Sequence, residues 1–350
     1  MNELMNIKKF QENLINWYEK NGRDLPWRHT KDPYAIWVSE IMLQQTTVAA
    51  VIPYYYRFLS TYPTVKDLAN ASLDEVYKLW EGLGYYRRAK NLHSSAIKIV
   101  DEFDGIFPRD YVDIISLPGI GPYTASAISS FAYHEEYAAI DGNALRVLSR
   151  LLGLHDNIAE NRTIKRITEY ANKMIVGKDS ASFNQGLMDL SNAFCRPKNP
   201  DCISCPLHVF CQAYKNHEEK VLPINIKKIK KTEHSFITGY ITYDDQVMMK
   251  INEEGLLEHM YGLVQYEVND PYAFMEAFKK EYGQSLILES FVKDFKHVFT
   301  HRTWHMHVFH FVLSAPNDYL MNAEDMKKAA IPTAHKKILD YMHKHVIIAD

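Results

Sequence analysis

Residues 117–143 read LPGIGPYTASAISSFAYHEEYAAIDGN. Gly119 and Gly121 stand two apart, directly ahead of Pro122. Glycine permits positive φ and a close backbone approach. Proline suits the first turn of a helix. The stretch therefore predicts a tight turn feeding a helix, whose exposed backbone N–H groups can hold an anion without side-chain charge. An LPGxG run alone is also an ordinary turn. Asp141, which closes the stretch in AIDGN, is by itself a turn or helix-cap residue.

Outward from this hairpin the chain reads as helical up to residue 215. Leu92, Ala96, Ile97, Val100 and Phe103 recur at helical spacing, as do Ile164, Ile167, Ala171, Met174 and Ile175. At 350 residues the chain is long enough for two domains, at roughly 100–200 residues each. NHEEKVLPINIKKIKK (216–231) has a proline, several lysines and little periodicity, and reads as a linker, the alternative being phosphate contact by Lys227, Lys228, Lys230 and Lys231. Beyond it the period changes. FITGYITYDDQVMMK (236–250) reads as two strands about Asp244–Asp245. YAFMEAFKKEYG (272–283) reads as an amphipathic helix ended by Gly283. WHMHVFHFVLS (304–314) reads as a strand. The expected organisation is a helical domain over 1–215, a linker over 216–232 and an α+β domain over 233–350.

The net charge of -3 excludes a broadly basic nucleic-acid binder, so any DNA surface must be a local patch. No window approaches 18 consecutive apolar residues, which predicts no membrane span. The start, MNELMNIKKFQ, has no secretory h-region, so the expected location is the cytoplasm.

All four cysteines fall in one loop, spaced Cys195-x6-Cys202-x2-Cys205-x5-Cys211. In a reducing compartment such a cluster binds metal rather than forming disulfides. Four thiolates suit tetrahedral zinc or a [4Fe–4S] cube. Only Cys202 and Cys205 make a tight zinc-type pair, and the wider outer gaps favour the larger object.

The cysteine spacing, the hairpin with its following aspartate, and WVSEIMLQQTTV (37–48) together resemble the MutY family of adenine DNA glycosylases, within the helix-hairpin-helix, endonuclease III superfamily. The resemblance implies an all-α helix-hairpin-helix glycosylase domain with an iron–sulfur loop at 195–211, followed by a Nudix-like α+β domain that reads the lesion. It implies a [4Fe–4S] cluster on the four cysteines. It also implies a phosphate grip at Gly119 and Gly121, where the family often holds a cation on the hairpin carbonyls. The substrate it implies is double-stranded DNA carrying A:8-oxoguanine or A:G, handled by a nucleoid-associated monomer.

Cleaving an N-glycosidic bond needs an acid for the leaving base and an anion beside the sugar cation. By resemblance Glu40 is that acid. Trp37, Val38, Ile41, Met42 and Leu43 surround it in sequence, and an apolar setting raises a carboxyl pKa. Asp141 would stabilise or capture C1′, oriented by Asn143. Tyr123 stands where strand-cutting relatives carry a lysine. A phenol cannot form a Schiff base, and Leu145 departs from a lysine found in some MutY proteins, so the expectation is a monofunctional enzyme in which Tyr123 assists near the sugar.

A base must leave the stack before such chemistry. The resemblance puts Gln44, Gln45 and the Tyr85 of GLGYY at the gap, and Trp27, Arg28 and Gln185 at the adenine. Arg87, Arg88 and Lys90 are candidates for phosphate contact, as are Arg196 and Lys198 in the cysteine loop. In the second domain Phe299, Thr300 and His301 stand for the family's lesion-reading FSH loop, with Thr in place of Ser. No REx2EExG run is present, so pyrophosphatase activity is not expected. His305 and His307 read as structural. Two rivals are an endonuclease III-like pyrimidine glycosylase with lyase activity and a non-catalytic damage binder with a structural metal.

Overall fold

A computed structural model of the chain describes residues 2–226, 231–253, 255, 257–299 and 301–346. It forms two compact units. One comprises Met1–Asn70 with Lys90–Lys227, the other Ala71–Ala89 with Lys228–Asp350.

The first unit is helical, as expected. It contains α1 (Asn2–Asn21), a short 3-10 turn (Pro26–Arg28), α2 (Pro33–Leu43), α3 (Val48–Thr61) and α4 (Val65–Asn70). After the excluded segment, which carries α5 (Leu73–Trp80), come α6 (Arg87–Phe103), whose first residues belong to the other unit, and α7 (Tyr111–Ile115). They are followed by α8 (Pro122–Tyr133), α9 (Gly142–Leu152), α10 (Asn161–Ile175), α11 (Ser180–Ala193) and α12 (Gln212–Lys215). Phe10 and Leu14 of α1 pack on Phe183, Leu187 and Leu190 of α11, and the core continues through Leu148 and Ile167 to Leu207 in the cysteine loop. Aspartates start two of these helices. Asp32 caps α2 through the Tyr34 N–H at 3.0 Å, and Asp141 caps α9 through the Ala144 N–H at 2.7 Å.

The segment expected as a linker is not a free spacer over its first part. Leu222 is buried, and its carbonyl accepts from Arg150 Nε at 2.7 Å. The Ile224 carbonyl accepts from the Ile158 N–H at 2.9 Å. Three of the four lysines of KKIKK, Lys227, Lys228 and Lys230, lie outside the described residues.

In the second unit β1 (Thr232–Tyr243) and β2 (Gln246–Met248) form the expected hairpin, with Tyr243 paired to Gln246 and Asp244 left-handed at φ +48°. Further on come β3 (Lys250–Ile251), β4 (Tyr261–Gly262), β5 (Val264–Tyr266), α13 (Pro271–Tyr282), β6 (Leu286–Val298), β7 (Arg302–Leu313), β8 (Leu320–Met321), α14 (Ala323–Lys328) and α15 (Thr333–Val346). The main sheet runs β6-β7-β1-β2-β8, with β5 also on β1. β1 and β7 are parallel neighbours, Thr232 opposite Arg302 through Thr242 opposite Val312. Strand alternation then gives each face its own partner. Ile237, Ile241, Phe311 and Leu313 meet Phe274 and Phe278 of α13. Met306 and Val308 meet Ala334, Ile338 and Met342 of α15.

Residues 71–89 group with this second unit. The Lys78 ammonium donates to Glu81 at 2.7 Å and to the Ala329 carbonyl at 3.3 Å, while Glu81 also binds Lys336. A plain cut near residue 215 misses this excursion, because it is made by contacts far apart in sequence.

Candidate active site

The hairpin turn closes with Gly119 at φ +77°, where a Cβ would lie 2.6 Å from the Asn91 Cβ. Glycine is required there on both counts. Gly121 is different. Its φ of -98° suits any residue, and nothing stands within 4 Å of its missing side chain. It caps α8 ahead of Pro122, leaving an open backbone face at a helix start. Gly119→Ala should destabilise the protein by about 1–3 kcal/mol in chemical denaturation. Gly121→Ala should cost less than roughly 1 kcal/mol. Equal losses for the two would contradict the distinction.

α8 then carries Tyr123 into a cavity of about 600 Å³ within the helical unit, a size suited to a small-molecule or base-sized ligand. Glu40 on α2, Asp141 and Asn143 at the start of α9, and Gln185 on α11 line the same cavity. Trp27, Arg28, Gln44 and Gln45 line it too. Elements far apart in sequence thus converge on one cavity.

Glu40 is 5% exposed. Burial pushes its carboxyl up to about 7, with the nearby Asp141 adding to the rise, while the Tyr123 hydrogen bond and Arg28 act the other way. The Tyr123 hydroxyl donates to Glu40 Oε2 at 2.8 Å. Burial and the two carboxylates hold the phenol well above its ordinary value, so it remains a donor. Asp141 uses one oxygen to cap α9 and accepts from Asn143 Nδ2 on the other at 2.8 Å. Asn143 is fixed in turn by Arg146, whose Nη2 donates to its Oδ1 at 3.1 Å and whose Nε donates to the Cys195 carbonyl at 2.8 Å.

Around the rim the picture is more particular than expected. The Arg28 guanidinium is held by both oxygens of Asp189, at 2.6 and 2.9 Å. Gln185 Oε1 takes the Tyr18 hydroxyl, which turns the amide N–H2 into its donor edge rather than leaving both ends for a ligand. Gln44 reaches Thr124 Oγ1 at 3.5 Å, and Gln45 sits left-handed at φ +58° just past α2.

Tyr85 does not line this cavity. It belongs to the second unit, 48% exposed and left-handed at φ +50°. Arg88 corrects an expectation. It is buried, donates to the Leu83 and Gly84 carbonyls and lies over the Trp80 and Tyr85 rings, so it braces the GLGYY loop from inside. Phe299 is half-buried against Trp304, with ring centroids 4.9 Å apart. His301 is exposed, and Thr300 lies outside the described residues. His305 pairs with Glu233 and His307 with Asp294, in keeping with structural roles.

The four cysteines line one small cavity and form no disulfide. Cys195, Cys205 and Cys211 pack on the helical core. Arg150, itself buried, donates to Cys195 Sγ at 3.3 Å and to the Arg196 carbonyl at 2.8 Å. Among the described residues no group of three or more His, Cys, Asp or Glu is drawn tightly enough to hold a single metal ion. Four thiols lining one cavity, with a cation turned to a sulfur, are a donor set that suits a thiolate-bound zinc or an iron–sulfur cluster. Arg196 and Lys198 are exposed, though the Arg196 guanidinium also folds back on the Asn199 carbonyl.

Asp189, Arg146 and Arg150 were missed at the level of sequence. Each is an ordinary helix residue with a partner at least 45 residues away.

The family model described as HhH-GPD superfamily base excision DNA repair protein matches residues 38–173, and a NUDIX domain model matches 238–341. The chain is 40% identical over 248 residues to the adenine DNA glycosylase of Buchnera aphidicola subsp. Acyrthosiphon pisum, covering 70% of each. It is 35% identical over 304 residues to that of Buchnera aphidicola subsp. Schizaphis graminum, covering 86% of this chain and 87% of the relative. A thermostable thymine-DNA glycosylase superposes with a TM-score of 0.57 at 32% identity, over 62% of this chain and all of that one. A cavity that sets a proton-holding glutamate beside an aspartate, on a scaffold whose two parts match in order and along most of a relative's length, leaves one placement: the chain belongs to the MutY family of adenine DNA glycosylases.

Proposed function

We propose that the enzyme removes adenine paired with 8-oxoguanine, or with guanine, from duplex DNA in base excision repair, by extruding the base and hydrolysing its N-glycosidic bond with acid assistance. The observation that carries the reading is the buried, proton-holding Glu40 in one cavity with Asp141 and Tyr123.

Glu40 gives its proton to the extruded adenine as the C1′–N9 bond breaks and its electron pair leaves with the base. Asp141, held by Asn143, stabilises the resulting cationic sugar. Water adds at C1′, its proton returns to the carboxylate, and an abasic site remains. Tyr123 steers the Glu40 carboxyl through its hydrogen bond. Trp27, Arg28 and Gln185 hold the base, and Gln44 and Gln45 fill the space it vacates. No lysine lines the cavity among the described residues, which supports hydrolysis without strand cleavage.

Gly121's open backbone face suits close approach of a DNA phosphate, with Gly119 shaping the turn, and a cation is assigned to the hairpin carbonyls. A left-handed tyrosine on an exposed loop is costly to hold. Its strain and exposure support Tyr85 as the wedge beside the lesion. Phe299, Thr300 and His301 are assigned to reading 8-oxoguanine. Cys195, Cys202, Cys205 and Cys211 would hold the [4Fe–4S] cluster, which would tie the loop at 195–211 to the core. Among the described residues no helix is long and apolar enough to cross a membrane. The enzyme is assigned to act as a monomer at the nucleoid.

Base release should be measured on A:8-oxoguanine, A:G and damaged-pyrimidine duplexes, with and without borohydride. The expected result is adenine release alone and no trapped adduct. Pyrimidine release with wild-type-strength trapping would favour an endonuclease III-like lyase instead. Because the protonated form of Glu40 is the active one, single-turnover release should be full below neutral pH and decline as pH rises through about 7. A rate that climbs across that window would overturn the acid role.

A further inference from the structure

Asp189 takes no part in the steps above, yet it is the most heavily bonded carboxylate near the cavity. It lies on α11 one turn beyond Gln185, with its side chain 2% exposed. Oδ2 accepts from Arg28 Nη1 at 2.6 Å and from the Arg23 backbone N–H at 2.8 Å. Oδ1 accepts from Arg28 Nη2 at 2.9 Å and from Arg23 Nε at 2.6 Å. Four donors saturate the carboxylate. Arg23 and Arg28 line the cavity and Asp189 does not, so it stands behind the wall that they form.

Three ionisable or charged groups act on Glu40: Tyr123 from α8, Asp141 from α9, and Arg28 from the 3-10 turn ahead of α2. Arg28 is the cation among them. Its side chain is 9% exposed, so little solvent screens it. A bare guanidinium at this place would favour the Glu40 anion, which cannot donate a proton.

We propose that Asp189 is a positioning residue for base release: its buried carboxylate pins Arg28 flat on the cavity wall by a bidentate pair and neutralises the cation that would otherwise face Glu40 unopposed. Burial works against its charge, yet the Arg28 and Arg23 bonds hold Asp189 below the usual carboxylate range, so the counter-charge is in place throughout the working pH range. A buried ion pair is weak evidence for a stabilising role, since apolar replacements often do as well. Its hold on Arg28, the cation that acts on Glu40, gives it another role.

The inference rests on Glu40 being the acid. It is tested by single-turnover base release across the neutral pH range on an A:8-oxoguanine duplex, at saturating enzyme, for the full-length wild type, Asp189→Asn and Arg28→Met. Asp189→Asn leaves Arg28 unopposed, and the falling limb should move toward acid by about one pH unit. Arg28→Met removes the cation while Asp189 keeps Arg23, and the limb should move toward alkali. A merely structural role would lower rates or stability without moving the limbs in opposite directions. Limbs that coincide with the wild type, or shift together, would overturn the proposal. Should Asp189→Asn not fold, Arg28→Met decides alone: a limb that stays or moves toward acid refutes it. A wild type with no limb near neutrality overturns the Glu40 assignment and this proposal with it. A normal wild-type limb that Asp189→Asn leaves in place overturns this proposal only.

Discussion

Glu40→Gln is expected to lower adenine release by at least about 10³-fold while duplex binding is kept. The amide has nearly the same shape and can still meet the Tyr123 hydroxyl, so the pocket should persist, but it holds no proton to give. The same change should stabilise the protein. The folded carboxyl holds its proton up to about 7, against an ordinary value of 4.5. Its folded pKa is raised, so stability is full below 4.5 and falls as pH climbs from there through 7. Integrated over that window, the buried charge costs roughly 3–3.5 kcal/mol above pH 7, and glutamine removes that cost. The expected pair of results is a dead enzyme with a higher denaturation midpoint at pH 8. A variant that is inactive because it has unfolded would show the opposite shift, and one that still releases adenine would refute the acid assignment.

Cys205→Ser is expected to have the second large effect. Cys205 sits half-buried against the core that also holds Leu207 and α9. If Cys205 is a cluster ligand as proposed, its loss should release the loop at 195–211, and the metal's binding free energy would leave with it. The Cys195 carbonyl anchors Arg146, and Arg146 anchors Asn143 beside Asp141, so activity should fall along with thermal stability. Iron and sulfide analysis of the wild type should give about four of each per chain. One equivalent of zinc and no sulfide would end the cluster reading.

Much of this was legible in the sequence because it is local. Gly119 must be glycine for its own φ, Asp141 caps the helix that follows it, and the apolar neighbours of Glu40 foretell its burial. What escaped is long-range. Nothing in FNQGLMDL says that Asp189 meets arginines some 160 residues earlier. Arg88 reads as a surface cation in a basic run, and only the fold turns it inward. β6 is hidden for another reason. Register shifts between Leu288 and Ser290, and between Phe291 and Lys293, break the alternation by which a strand is recognised.

The excursion of residues 71–89 into the second unit bears on how the enzyme can be dissected. Cutting the chain after residue 227 would leave Lys78 and Glu81 facing water where Ala329 and Lys336 had been. Such a truncation would slacken the segment that carries Tyr85 as well as delete the C-terminal strands. Any weakened grip on damaged duplex in the shortened protein would mix two injuries, and restoring the missing half as a separate polypeptide would be the fair control.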